Sequence, residues 1–424
     1  MTRLSATYDI ESAVGVHTAA SVLAGEQSTG TFVKLSGETD SLLERNAATV
    51  DDVCITGSSP TPSLPCKTTG KHYERGRVTI SWPLENIGTS LPNVLATVAG
   101  NLFELAELSA VRLLDIDFPE EFYRTARGPQ FGITGTRDLT GVHDRPLLGT
   151  IIKPSVGMSA TKTAEIVEQL LSADVDFIKD DELQANGPHC PLSERVSAIM
   201  PLIKKHEDKT GRRVMYAFNI TDEIDVMRAN LDMLTKHGAS CAMVCLYSVG
   251  LPGLMDVRAH STLAIHGHRA GWGLYSRSPD IGIAYRVWQK LWRLAGADHL
   301  HVNGLGSKFS EPDTVVASSA HAVQEPLASD PEFRFEALPV FSSAQTVWHL
   351  HPAMRLLGND DFLMCAGGGI MSHPGGPASG VIALKQAAEA ARHRIPIDTY
   401  AAEHSELADA LDTFNRPDID SSLI

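Results

Sequence analysis

The sequence predicts an α/β protein: a (β/α)8 TIM barrel over residues 131–424, with C-terminal helices, preceded by a smaller α+β domain over residues 1–130. Three observations predict it. From about residue 145, short apolar runs alternate with amphipathic stretches through eight cycles. The runs are apolar on both faces, as in strands of a parallel sheet covered by helices. Ionisable and hydroxyl residues collect where the runs end, which is where such barrels place their chemistry.

Taken in order, the first 130 residues mix strand-like runs (Gly30–Leu35, Arg77–Trp82) with helical stretches around Glu11–Gly25 and Asn93–Asn101. Gly57–Pro65 and Gly128–Gly141 are rich in Gly, Pro and Ser and read as the longest loops. The barrel strands are expected at Leu147–Lys153, Phe177–Glu182, Arg213–Asn219, Cys241–Tyr247, Leu263–Arg269, His299–Gly304, Ala337–Ser342 and Phe362–Ala366. Helices are expected between them, among others at Ser159–Ala173, Leu192–Lys205, Ile281–Leu294, Thr346–Leu357 and Ala378–Arg392. Eight cycles favour a closed barrel, and the pattern alone leaves an open sheet as the alternative.

Composition narrows the function classes. Hydrophobic residues make up 43% and charged residues 21%, the values of a globular protein. A net charge of −15 argues against a nucleic-acid surface, though local basic groups can still hold a small anion. The six cysteines form no CxxC pair, so reduced thiols are expected. No secretory leader or membrane-spanning run is legible, which leads to the expectation of a cytoplasmic protein.

Six expected strand ends carry polar groups, and Lys179-Asp180-Asp181-Glu182 is the most informative of them. Alternation puts Lys179 and Asp181 on one inward face, and Glu182 joins them if the strand bends at its end. Two carboxylates are hard oxygen ligands suited to Mg²⁺. The bland alternative is a solvated charged loop. Gly367-Gly368-Gly369 is either a plain turn or a set of N–H groups for a phosphate. His266 and His299 read as hydrogen-bonded core residues, and Trp272, Trp288 and Trp292 as packing. Glu403–Asp412 reads as a solvated helix.

Several runs together resemble the RuBisCO large-chain family. Phe177-Ile178-Lys179-Asp180-Asp181-Glu182 is similar to its activation motif, and Gly149-Thr150-Ile151-Ile152-Lys153-Pro154 to its first barrel strand. His268-Arg269-Ala270, Asp298-His299-Leu300-His301 with Gly306-Ser307-Lys308, Ser342, and Gly367-Gly368-Gly369 with His373-Pro374 follow in the same order. Glu26-Gln27-Ser28-Thr29-Gly30-Thr31 and Gly100-Asn101 resemble segments that cap a neighbouring subunit's site. The likeness covers nearly the whole chain. The departures are local: Ser155 stands in place of a second lysine, Trp272 of a histidine, Phe32 of a tryptophan, and Ser343-Ala344 of a Gly-Gly pair. The chain therefore resembles a RuBisCO-like (type IV) protein, not a carbon-fixing carboxylase.

The resemblance implies one Mg²⁺ per site on Asp181, Glu182 and Lys179, with CO2 carried as a carbamate on Lys179. It implies Lys153, His268 and Lys308 as further catalytic residues. Arg269, His301 and Ser342 would hold one anionic end of the substrate, and Thr31, Gly367 and Gly368 the other, with Glu26, Thr31 and Asn101 arriving from a partner. Asn101 stands where RuBisCO-like enolases of methionine salvage carry a lysine base, and Lys308 is a residue they lack. The combination points to an enzyme that handles a carboxylate on the reacting carbon. The implied substrate is a phosphorylated keto-sugar acid of the 3-oxo-isoapionate 4-phosphate type. It would be decarboxylated, or transcarboxylated and hydrolysed, through an enolate on magnesium. The alternatives are an enolase or isomerase of a phosphorylated ketose, and a non-catalytic sugar-phosphate binder. A homodimer with shared active sites is expected, without a small subunit.

Overall fold

A computed structural model describes residues 2–30, 35 and 37–423 of the chain. Contacts divide it into two units, Met1–Ala126 with Gly271–Leu291, and Arg127–Ala270 with Trp292–Ile424.

The first unit is built on a five-stranded sheet. Its strands are β1 (Arg3–Ser12), β2 (Thr49–Ser59), β3 (Tyr73–Pro83), β4 (Leu108–Asp117) and β10 (Ile281–Ile283), in the order β10-β4-β1-β3-β2. Strand β1 shows why it pairs there: Leu4, Ala6, Tyr8 and Ile10 alternate inward to a buried face. Helix Val16–Glu26 begins later than expected, because Glu11 and Ser12 end β1 and Gly15 takes a left-handed turn at φ 87°. Of the expected run Gly30–Leu35, residues 31–34 lie outside the described residues. Gly271–Leu291 joins this unit although the sequence reads 131–424 as one barrel domain. Ile281–Ile283 is a strand, not the start of a helix, and pairs in parallel with Val111–Leu113. The helix begins only at Tyr285.

The second unit is a closed parallel barrel. Its strands are β5 (Leu147–Ile151), β6 (Phe177–Lys179), β7 (Met215–Asn219), β8 (Cys241–Cys245), β9 (Ala264–His268), β11 (His299–Asn303), β12 (Leu338–Phe341) and β13 (Leu363–Cys365). All eight fall inside the runs expected from sequence. Leu147, Phe177, Met215, Met243, Val340 and Leu363 fill the interior, which is a packed core rather than a pore. At Gly149 a Cβ would lie 2.5 Å from the Phe177 carbonyl oxygen, so glycine lets β5 and β6 approach. Among the described residues no helix is long and apolar enough to cross a membrane.

Gly128–Gly141, expected to be a loop, contains the helix Gly132–Thr140. Its first N–H groups are held by a residue far along the chain: Asp298 accepts from Phe131 N (2.6 Å) and Gly132 N (3.0 Å). Phe131, Ile133 and Leu139 pack against the barrel core. Asp298 is fully buried, also accepts from Ile265 N (2.8 Å), and pairs with buried Arg258 (3.1 Å). Asp298→Ala should therefore cost about 3–5 kcal/mol in denaturant unfolding, because it strands a buried guanidinium and three N–H donors. A loss within about 0.5 kcal/mol, the scale of ordinary surface substitutions, would overturn this assignment.

Candidate active site at the barrel mouth

Strand β6 ends at Lys179, and the three acids after it turn in different directions. Lys179 is fully buried and its Nζ donates to the Asp180 carbonyl at 2.7 Å. Asp180 points out of the barrel interior. Its carboxylate accepts from Tyr216 OH (2.8 Å), Asn219 N (3.0 Å) and fully buried Arg195 Nη2 (3.0 Å). Asp181 points back in, where Lys153 Nζ lies 2.5 Å from Oδ2 and Leu183 N donates to Oδ1. Asn219 Nδ2 donates to the Asp181 and Glu182 carbonyls at 3.1 and 3.2 Å, so β7 holds the backbone of the turn. Burial would raise the Asp181 pKa, but Lys153, the Leu183 N–H and Lys179 outweigh it and hold the carboxyl below its usual range.

Glu182 Oε2 faces His268 Nε2 at 3.6 Å. Ala270 N donates to His268 Nδ1, which leaves the ring proton on the side of Glu182. Burial, then Lys179, pushes the His268 pKa well below its ordinary value. Arg269 is buried and paired with Glu311, which also accepts from Asn303 Nδ2 at 3.1 Å. Both His301 nitrogens are engaged, Nε2 with His266 (2.7 Å) and Nδ1 with Ser342 Oγ (2.8 Å). A Cβ on Gly367 would meet Ile151 Cδ1 at 3.4 Å and Lys153 Cε at 3.9 Å, while Gly368 faces open space. Lys308 is exposed on the loop after β11, its Nζ 5.3 Å from the centre of the Phe309 ring.

The barrel thus brings Lys153, Lys179, Asp181, Glu182, His268 and Gly367 into one cluster. In the first unit, exposed Asn101 and Glu26 are neighbours, with Asn101 Nδ2 3.4 Å from Glu26 Oε1. Thr31 lies outside the described residues. Sequence reasoning missed Tyr216 and Arg195, which hold Asp180, Asn219, which holds the backbone at Asp181 and Glu182, and Glu311, which pairs with Arg269. Asn219 ends an expected strand, so its position was a signal. Arg195, on a helix, and Glu311, in a loop, gave none.

Among the described residues no three His, Cys, Asp or Glu side chains form a metal-holding group. Asp181 and Glu182 supply two hard carboxylates, and the third donor at the cluster is the buried amine of Lys179. That donor set fits a hard divalent cation once the lysine carries a carboxylate of its own.

A closed parallel barrel with its ionisable groups gathered at the C-terminal strand ends is the architecture of a barrel enzyme. Residues 132–414 match the ribulose bisphosphate carboxylase large chain catalytic domain, and residues 2–122 its N-terminal domain. The chain belongs to the RuBisCO large-chain family. It is 47% identical to a 3-oxo-isoapionate-4-phosphate transcarboxylase/hydrolase of Xanthobacter autotrophicus, over 96% of this chain and 98% of that protein. It is 41% identical to a 3-oxo-isoapionate-4-phosphate decarboxylase of Rhizobium etli, over 97% of this chain and 99% of that one. The crystal structure of a rubisco-like protein from Burkholderia fungorum superposes with a TM-score of 0.91 at 40% identity, covering 98% of this chain and 100% of that chain.

The buried imidazoles imply a pH dependence of stability. Burial holds His266, His268 and His301 well below the ordinary range and pushes His299 to about 3. Their folded pKa values lie below the unfolded ones, so the unfolded chain binds more protons as the pH falls. Stability is then complete above about pH 6.5 and declines below it, by about 1.4 kcal/mol per pH unit for each proton taken up on unfolding. Melting temperatures between pH 7.5 and 5 should fall steeply; a flat profile would mean the rings are charged in the folded protein.

Proposed function

We propose that this protein acts on a phosphorylated keto-sugar acid of the 3-oxo-isoapionate 4-phosphate type, by decarboxylation or by transcarboxylation and hydrolysis. The observation that carries the proposal is the cluster itself: a fully buried Lys179 beside Asp181, with Lys153 2.5 Å from the same carboxylate. Two curated relatives that share most of this chain's length bear those activities in their names.

In this proposal Asp181, Glu182 and a carbamate on Lys179 would hold a Mg²⁺, which would supply Lewis-acid chemistry at the ketone. Lys153 moves the proton at the carbon that becomes carbanionic, being the amine nearest Asp181. His268 stays neutral in its buried position and donates through Nε2. Lys308 on its exposed loop neutralises the leaving or migrating carboxylate. Arg269 holds one anionic end, exchanging Glu311 for the substrate, with His301 and Ser342 beside it. Gly367 and Gly368 hold the other end. Ser155, a neutral side chain 2.8 Å from Lys153 Nζ, stands where a carboxylase has a second cation.

Four outcomes test this. With the substrate carboxylate labelled with carbon-13, NMR in H2O and D2O should show the label leaving as CO2 or retained in a cleaved acid. Solvent exchange without cleavage would instead indicate an enolase or isomerase. Lys179→Ala should fold yet lose turnover by at least about a hundredfold, the scale of a lost electrostatic stabiliser. Labelled bicarbonate should not enter acid-stable product from ribulose bisphosphate at a carboxylase's rate. Finally, a dimer with shared sites predicts that Asn101→Ala and Lys179→Ala chains, each inactive alone, recover activity when mixed and reassembled; no recovery would indicate that each site is complete within one chain.

A further inference from the structure

Three buried imidazoles, of which only His301 borders the proposed substrate site, form a continuous line through the barrel core. It begins at Thr136, on the helix that packs against the core, whose Oγ1 lies 2.5 Å from the Gly132 carbonyl and 2.8 Å from His299 Nε2. His299 Nδ1 lies 3.3 Å from His266 Nδ1, and His266 Nε2 lies 2.7 Å from His301 Nε2. His301 Nδ1 lies 2.8 Å from Ser342 Oγ, after the end of β12.

The direction of every bond follows from the first. A carbonyl oxygen has no hydrogen, so the Thr136 hydroxyl hydrogen must sit between the two oxygens. Thr136 then has none left for His299, and His299 Nε2–H must be the donor to it. In a neutral ring the other nitrogen is an acceptor, so His299 Nδ1 accepts from His266 Nδ1–H. His266 Nε2 then accepts from His301 Nε2–H, and His301 Nδ1 accepts from the Ser342 hydroxyl. The rings are neutral because burial disfavours the imidazolium in each.

We propose that Thr136, His299 and His266 are positioning residues, a relay that fixes the tautomer of His301 and thereby commits the Ser342 hydroxyl hydrogen inward. Ser342 then offers the barrel mouth only oxygen lone pairs. It suits a hydrogen-bond donor on the substrate, such as a sugar hydroxyl, and disfavours a phosphate or carboxylate oxygen. The anionic end is left to Arg269. The relay stands on the geometry and burial of the rings, and only its consequence for the substrate rests on the proposed function.

The test reads the tautomers directly. In the whole protein with nitrogen-15 in histidine, two-bond nitrogen–proton spectra at pH 7.5 should show His299 and His301 protonated on Nε2 and His266 on Nδ1. A His301 protonated on Nδ1, or any of the three as imidazolium, overturns the proposal whether or not the enzyme turns over the keto-sugar acid. Thr136→Val removes the anchor and should give His301 a mixture of tautomers, with Thr136→Ser restoring one. In the proposed reaction the Val variant should raise KM about tenfold with kcat little changed, the loss of one hydrogen bond made in both ground and transition states. An unchanged His301 spectrum in a folded Val variant refutes the relay.

Discussion

The amine of Lys179 has no exposed surface, and much of the barrel mouth is arranged around that fact. A buried ammonium is costly unless charges or dipoles compensate it. Asp181 and the Asp180 carbonyl lie beside it, and His268 feels its charge in addition to its own burial. Each neighbour is in turn committed: Asp181 to Lys153, Glu182 towards His268, the backbone of the turn to Asn219. These bonds fix the geometry of the cluster within the chain itself.

Strand alternation explains how one tetrapeptide serves two purposes. Lys179 and Asp181 face inward, towards the barrel mouth. Asp180, between them, faces Tyr216 and Arg195, where its carboxylate anchors the turn to β7 and to the helix Leu192–Thr210. A buried ion pair of this kind adds little net stability, because desolvation offsets the attraction. What it supplies is position: a turn that could splay has one geometry.

The opposite end of the barrel is linked to the mouth through its filling. Asp298 caps the helix Gly132–Thr140, and that helix carries Thr136 into contact with His299. From there the imidazoles cross a core otherwise lined by Leu, Met, Val and Phe. Polar groups in such surroundings must be satisfied by one another, which is why their hydrogen bonds run in a single line rather than to solvent.

Much of this was legible in the sequence. Apolar runs of strand length, spaced by amphipathic stretches, determined eight barrel strands, because burial on both faces leaves no room for polar alternation. Polar residues at the ends of those runs marked the mouth, and alternation put Lys179 and Asp181 on one inward face, with Glu182 joining them if the strand bends. Other features were decided only by the tertiary structure. Ile281–Ile283 became a strand because Val111–Leu113 offered an edge to pair with. Gly128–Gly141 became a helix because Asp298, more than 150 residues later, capped it. Arg195 and Glu311 carried no local signal, since their partners Asp180 and Arg269 reach them only in the folded chain. His266 and His299, rightly seen as core residues, gained a direction only from neighbours on other elements. Periodicity records what each residue must bury, and is written along the chain. The partner of a buried polar group is set by the approach of distant segments, which no local pattern encodes.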